Sequence, residues 1–379
     1  MSDTTPAAAL PSPSPEASAT DERLKETSLA IRVMRRPELG AAAGLLLVIV
    51  FFLPTADPSM FTLAGVMNIL VPGAQLGILA IAAALLMIGG EFDLSIGSMV
   101  AFTGLIFGSL ITIAGLALPL ALILTIVVAG LLGGINGQIV IRTRLPSFIV
   151  TLAFLFILRG LSLVGLKWAT GGSTQMRNIA EQAGNGLVRE IFSGLALEGL
   201  FGWLAAHDVV AKFPNGVPTV RGVPVSIVWF VAFAAVATWL LLRTRTGNWI
   251  FASGGDPNAA RNSGVPVDAV KTGLFMLTAI AAALVAVITV LDAGSTDARR
   301  GVQKEFEAII AAVIGGCLLT GGYGSAVGAF FGAIIFGMVS IGLTYTRFDS
   351  DWFLVFLGAM LLLAVLFNNF IRKKVTGER

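Results

Sequence analysis

Ten continuous apolar stretches run along the chain, at about 39–54, 72–89, 97–115, 118–141, 145–166, 226–242, 272–291, 306–321, 326–345 and 352–370. Each is near the ~20 residues that a helix needs to cross a ~30 Å hydrocarbon core. None alternates apolar and polar residues with the period of two that a barrel strand requires. Lipid tolerates only helices or closed barrels, because backbone polar groups there have no water to bond. The pattern therefore predicts an all-α polytopic membrane protein of about ten transmembrane helices over residues 39–371.

Composition agrees with the pattern. Hydrophobic residues are 56% of the chain and charged residues 12%, against roughly 45–50% and about 25% in soluble domains. Too little charge is present to cover a water-facing surface. The 44 glycines suit helices whose backbones approach closely in lipid. A single cysteine, Cys317, excludes a disulfide framework, and a single histidine, His207, excludes a zinc site of several imidazoles or thiolates. No metal is expected, and a net charge of +3 does not point to nucleic acid.

The placement of Lys and Arg orients the spans. Arg32, Arg35 and Arg36, then Arg142 and Arg144, then Arg243, Arg245, Arg261 and Lys271, then Arg372, Lys373 and Lys374 all fall on one side. Both termini are then cytoplasmic, with residues 1–38 a disordered tail, 243–271 a cytoplasmic loop and 372–379 a short tail. The long segment 167–225 lies outside, its apolar middle (191–206) forming a short helix along the membrane face. Arg299, Arg300 and Lys304 fall on the outer side and run against the rule.

Three segments could carry chemistry. The first is Gly89-Gly90-Glu91-Phe92-Asp93-Leu94-Ser95-Ile96-Gly97-Ser98, a break between the second and third spans. Asp93 or Ser95 can cap the next helix. Alternatively, Glu91, Asp93 and Ser95, with Asn136 and Thr320 from other segments, line a polar translocation path, since irregular backbone at membrane depth lines a cavity or is buried in protein. Both readings are open. The second segment runs from Gly315-Gly316 through Thr320-Gly321-Gly322 to Gly324-Ser325 and repeats the design of the first, which suggests a weak internal duplication. Gly324, Gly328 and Gly332 then form a ladder suited to close helix packing. The third segment, between the sixth and seventh spans, reads Asp256-Pro257-Asn258-Ala259-Ala260-Arg261-Asn262-Ser263-Gly264. Asp at the cap, Pro in the first turn and Gly at the stop define one short isolated helix. Such a helix is marginal alone, so it needs a surface to dock on.

These segments, with Pro-Ser-Phe-Ile-Val-Thr-Leu at 146–152 and Arg159-Gly160, resemble the membrane-spanning permease subunit of bacterial ABC sugar importers of the ribose, xylose and arabinose type. The resemblance implies a permease dimer, a separate cytoplasmic ATP-binding subunit and a periplasmic binding protein that delivers a monosaccharide. By position, Asp256 to Gly264 would be the helix that seats in the ATPase. Two features depart from the pattern: Glu91 stands where a glycine is more usual, and 167–225 is long for an outer loop.

The residues exclude several alternatives. No Gly-x-x-x-x-Gly-Lys-Ser/Thr occurs, so ATP is expected to bind in a partner and no cofactor in this chain. No Gly-x-Ser-x-Gly or His-Glu-x-x-His occurs, so an embedded hydrolase has no visible machinery. An ion-driven transporter would need intramembrane carboxylates. Glu91 and Asp93 are the candidates, with no further acid expected inside a span before Asp292, at an outer end. A permease for a branched-chain amino acid has a related architecture and stays open.

Overall fold

A computed structural model describes residues 37–349 and 351–376, with side chains from Glu38 to Leu366. The expected tail at 1–38 therefore lies almost wholly outside the described residues, as does the end of the expected tail at 372–379. Each of the ten apolar runs contains a helix, although in the eighth, 306–321, it ends at Ile314. In chain order they are α1 (Pro37–Thr55), α2 (Leu63–Ile88), α3 (Ile96–Thr112), α4 (Leu118–Thr143), α5 (Ser147–Thr170), then, beyond the outer segment, α9 (Val225–Arg243), α12 (Val267–Ala293), α13 (Lys304–Ile314), α14 (Ala326–Gly342) and α15 (Trp352–Thr376).

Among the described residues, seven of the ten (α1, α2, α4, α5, α9, α12 and α14) are long and apolar enough to cross a membrane, α14 together with the short turn that follows it. α3 has 17 residues and α13 only 11. The chain is thus a multi-pass, mostly helical membrane protein. α2 begins nine residues before its apolar run because Pro72 sits inside the helix instead of starting it. A bilayer helix tolerates such a proline where neighbours and local adjustments serve the freed carbonyl.

Burial separates central from peripheral helices. In α2 and α12, 78% and 72% of the most apolar stretch is buried, against 11% in α1 and 28% in α9. The peripheral helices keep apolar stripes for lipid. On α4 these are Leu120, Ile123, Val127, Leu131 and Ile135, spaced three or four residues apart and all exposed. Exposed leucine costs nothing against acyl chains, so packing rather than water exclusion holds the bundle.

Glycines set the closest approaches. α13 and α14 run antiparallel, and a β-carbon at Gly328 or Gly332 would run into the carbonyl oxygen of Gly315 or Ala311. Gly133 and Gly137 of α4 meet the backbone of α12 at Phe275 and Thr272 in the same way. Each bare glycine face lets two backbones come closer than any side chain allows.

The segment 167–225 holds three short helices, α6 (Ile179–Gln182), α7 (Leu187–Ser193) and α8 (Glu198–Ala206). Two of them replace the single helix expected over 191–206, because Gly194 ends α7 and the chain there pairs as a strand. Leu195–Ala196 pairs antiparallel with Val223–Pro224, closing the segment at its base. Gln175–Met176 pairs with Thr296–Asp297, tying it to the end of α12. Phe201, Ala205, Val210 and Val220 form a small core that packs on Ala64 and Met67 of α2.

The cytoplasmic-type loop at 243–271 also differs from expectation. A helix, α10 (Arg245–Gly255), precedes the short α11 (Pro257–Asn262). Its three glycines mask it in the sequence, yet Gly247, Ile250 and Gly254 are buried at helical spacing. Thr244 caps α10 by accepting from Gly247 N–H at 3.1 Å.

Gly328→Ala should lower the unfolding free energy in mixed micelles by about 1–3 kcal/mol, the usual cost of overpacking. Gly273→Ala, where no neighbour lies within 4 Å, should leave it unchanged or raise it by up to about 1 kcal/mol through helix propensity. Denaturant titration followed by tryptophan emission or helicity checks both.

Candidate functional site: a junction of helix breaks

The two Gly-Gly breaks close their helices identically. After α2, Gly89 N–H donates to Leu85 O, Gly90 N–H to Met87 O, and Glu91 N–H reaches back to Leu86 O at 3.1 Å. After α13, Gly315, Gly316 and Cys317 donate to Ala311, Val313 and Ala312 in the same pattern. The second glycine of each pair, Gly90 (φ +83°) and Gly316 (φ +89°), takes the left-handed conformation that this closure requires.

Beyond the first break the chain runs through a polar knot. Asp93, 5% exposed, accepts from Ser95 N–H at 2.9 Å and from Ser95 Oγ at 2.5 Å on one oxygen. Its other oxygen accepts from Thr278 Oγ1 of α12 at 2.6 Å. Ser95 Oγ in turn accepts from Asn136 Nδ2 of α4 at 3.0 Å. Phe92 N–H and Leu94 N–H donate to Ser147 Oγ and Thr151 Oγ1 of α5, both at 3.0 Å. So the 89–98 segment and the 146–152 run, read separately in the sequence, bond to each other. Ser95 precedes α3 but makes no side-chain capping bond of its own; Asp93 instead fixes the turn before the helix.

Glu91 does not stand free. Its Oε1 lies 2.5 Å from Lys271 Nζ, with the two side chains 14% and 11% exposed. The charge that departs from the usual glycine is thus matched by a cation seven residues from Gly264, at the foot of α12. Thr320 sits apart and is exposed in the second break. Gly97 lies away from the junction, packed backbone to backbone on Gly301.

The third segment arrives at the same place. Gly254, at the end of α10, abuts Ile88 O and Gly322 N so closely that a β-carbon there would overlap both. Gly90 faces the Gly254 backbone, and Gly321 faces both Gly254 O and Gly90. Gly322 N–H donates to Ile88 O at 2.8 Å, which ties the second break to the end of α2. Gly324 packs against Cys317 and Ile88.

From this junction α11 projects. Asp256 Oδ1 accepts from Asn258 N–H and Ala259 N–H at 2.9 and 3.0 Å, with Pro257 in the first turn. At the far end Gly264 (φ +82°) lets Val265 N–H return to Ala260 O at 3.0 Å. Arg261 pairs with Asp268 at 2.7 Å. Ala260 is buried, whereas Asn258, Ala259, Arg261, Asn262 and Ser263 are exposed. The helix is six residues long, and Ala260 is its one buried residue.

One polar cluster escaped the sequence reading. Glu305 and Glu307, which follow Asp292 in the chain and had no role in the sequence reading, are buried, 4% and 7% exposed. Arg159, midway along α5, donates to Arg300 O at 3.1 Å and Gly301 O at 3.4 Å and lies 3.9 Å from Glu305. Lys304 pairs with Glu307, and Arg300 with Asp297. Arg300 and Lys304 are therefore members of ion pairs rather than free loop cations. The readable signal was Arg159, a lone cation in an otherwise apolar run.

The fold is thus a bundle of apolar helices with paired glycine breaks joined to a protruding short helix. Residues 65–365 match the family model described as the permease component of branched-chain amino acid transport systems, and the chain belongs to that family. It is 32% identical to the Escherichia coli K12 ribose import permease protein RbsC, over 86% of this chain and 91% of that one. It is 30% identical to the E. coli K12 xylose transport system permease protein XylH, over 93% and 94%. The Haemophilus influenzae ribose import permease is 29% identical over 87% and 92%. No solved structure matches.

Asp93→Asn removes one acceptor from a saturated buried carboxylate and should cost about 1–3 kcal/mol; folded, inserted protein and activity should fall together. Glu91→Gln leaves Lys271 unpaired at a part-buried site and should destabilise by about 1–3 kcal/mol. Glu91→Gln with Lys271→Gln should recover part of that loss. A double-mutant cycle on detergent-solubilised protein measures the coupling.

Proposed function

We propose that this chain is the permease subunit of an ATP-driven importer for a monosaccharide. α11 is read as the helix that seats in a separate ATP-binding subunit. A second permease copy and an exported sugar-binding protein complete the assembly in this reading. Both termini and α11 face the cytoplasm of a bacterial cell, with 167–225 outside.

The observation that carries the reading is the junction. The protruding α11 is continuous, through Gly254, with the backbones of both helix breaks. A push on α11 has a direct route to the end of α2 and to Gly321 and Gly322 in the second break. The sugar follows from the ribose and xylose permeases to which the chain is similar. Asp93 and Glu91 support the reading indirectly. Each of these carboxylates, the ones the sequence offers for ion coupling, is bonded within the protein. The ATPase supplies the free energy, and ATP and the loaded binding protein must prefer different states of the permease pair for transport to be driven.

Replacing the exposed Asn258 and Ala259 with Trp should leave insertion intact and abolish co-purification of the ATPase. Replacing Ala260 should also lower stability, because it is buried. Proteoliposomes holding permease, ATPase and binding protein should accumulate radiolabelled ribose or xylose only with ATP inside the compartment holding the ATPase. Uptake by the permease alone, or of leucine in place of sugar, would overturn the energy source or the cargo respectively.

A further inference from the structure

The chain between α12 and α14 does not cross the bundle in the ordinary way. α13, at 11 residues, is about 16 Å long, half a hydrocarbon core. The residues before it descend into the protein instead of staying at the surface. Thr296 lies against Gly104 of α3, and Gly301 and Glu305 lie against Gly97, two turns further toward the junction. Arg159, midway along α5, bonds the carbonyls of Arg300 and Gly301. The turns over 298–303 therefore sit near the middle of the bundle's height.

At that depth one side of the segment is covered and the other is bare. Glu305, Glu307 and Ala308 are buried, while Arg299, Val302, Gln303 and Phe306 are exposed and Lys304 is 36% exposed at its side chain. Irregular backbone with polar side chains cannot face acyl chains; it is tolerated only where it is buried in protein or lines water. The stripe of leucine, isoleucine and valine on α4 shows what this protein offers to lipid, and this face is unlike it. The residues first read as path lining are, apart from Glu91 and Thr320, packed inside the protomer: Asp93, Ser95 and Asn136 are 5%, 0% and 1% exposed.

We infer that the re-entrant face formed by Arg299, Val302, Gln303, Lys304 and Phe306 lines the water-filled translocation path. Gln303 and Lys304 offer amide and ammonium donors, and Gln303 a carbonyl acceptor, for an uncharged polyhydroxylated solute. The ring of Phe306 suits the C–H face of a sugar. Arg159 and the buried glutamates behind them hold the turn at depth. This inference rests on the permease reading for its solute, but the wetness of the face stands or falls separately.

The test is thiol accessibility in the full-length chain in proteoliposomes. Native Cys317 is fully buried and gives the background. Gln303→Cys and Val302→Cys should react with a membrane-impermeant cationic methanethiosulfonate at least roughly tenfold faster than Phe156→Cys. That control is on the exposed apolar side of α5 at similar height, where a thiol in apolar surroundings stays protonated and inert. Two positions guard against one variant failing to insert. If both react no faster than Phe156→Cys, the face is dry and the inference fails. If both react rapidly but addition of the ATPase with ATP and vanadate leaves the rates unchanged, the path stands and the ATP-coupled reading fails.

Discussion

Everything in this protein depends on how a chain can interrupt helices inside a bilayer without leaving amides or carbonyls bare. Two helices end in consecutive glycines, and each end folds three N–H groups back onto carbonyls of its own last turn. The segment released after the first break is then served by side chains from α4, α5 and α12. Unbonded backbone in hydrocarbon costs several kcal/mol per group. The polar residues clustered here are therefore the condition for having a break at all, and the break is what brings three distant stretches of chain together.

Much of this was legible in the sequence. Length and continuity of the apolar runs gave the helices, because lipid forbids the alternatives. The Asp-Pro start and Gly stop gave α11 closely, because capping is a local rule. The repeated Gly-Gly-polar-Gly-Ser design anticipated two equivalent breaks. The meeting of those breaks with Gly254 was not legible, since residues 88, 254 and 322 share no pattern that a single sequence displays. Nor was the pairing of Glu91 with Lys271, whose members are 180 residues apart.

Pattern and fold part company for one physical reason. α10 was read as loop because glycine lowers helix propensity, yet in this protein glycine marks where helices touch. The run at 306–321 was read as a span because hydropathy averages over Glu307 and the Gly-Gly break. In the fold that run divides into a short helix and a turn, and Glu307 near its start is paired with Lys304. Hydropathy registers the mean and misses the partner.

A joint made of main chain has a mechanical property that one made of side chains lacks. Between Ile88, Gly254 and Gly322 no rotatable group intervenes, so no rotamer change can take up slack when one member shifts. Displacement of α10 by a fraction of an ångström must tilt peptide planes at the end of α2 and at Gly322, as in a gear train without backlash.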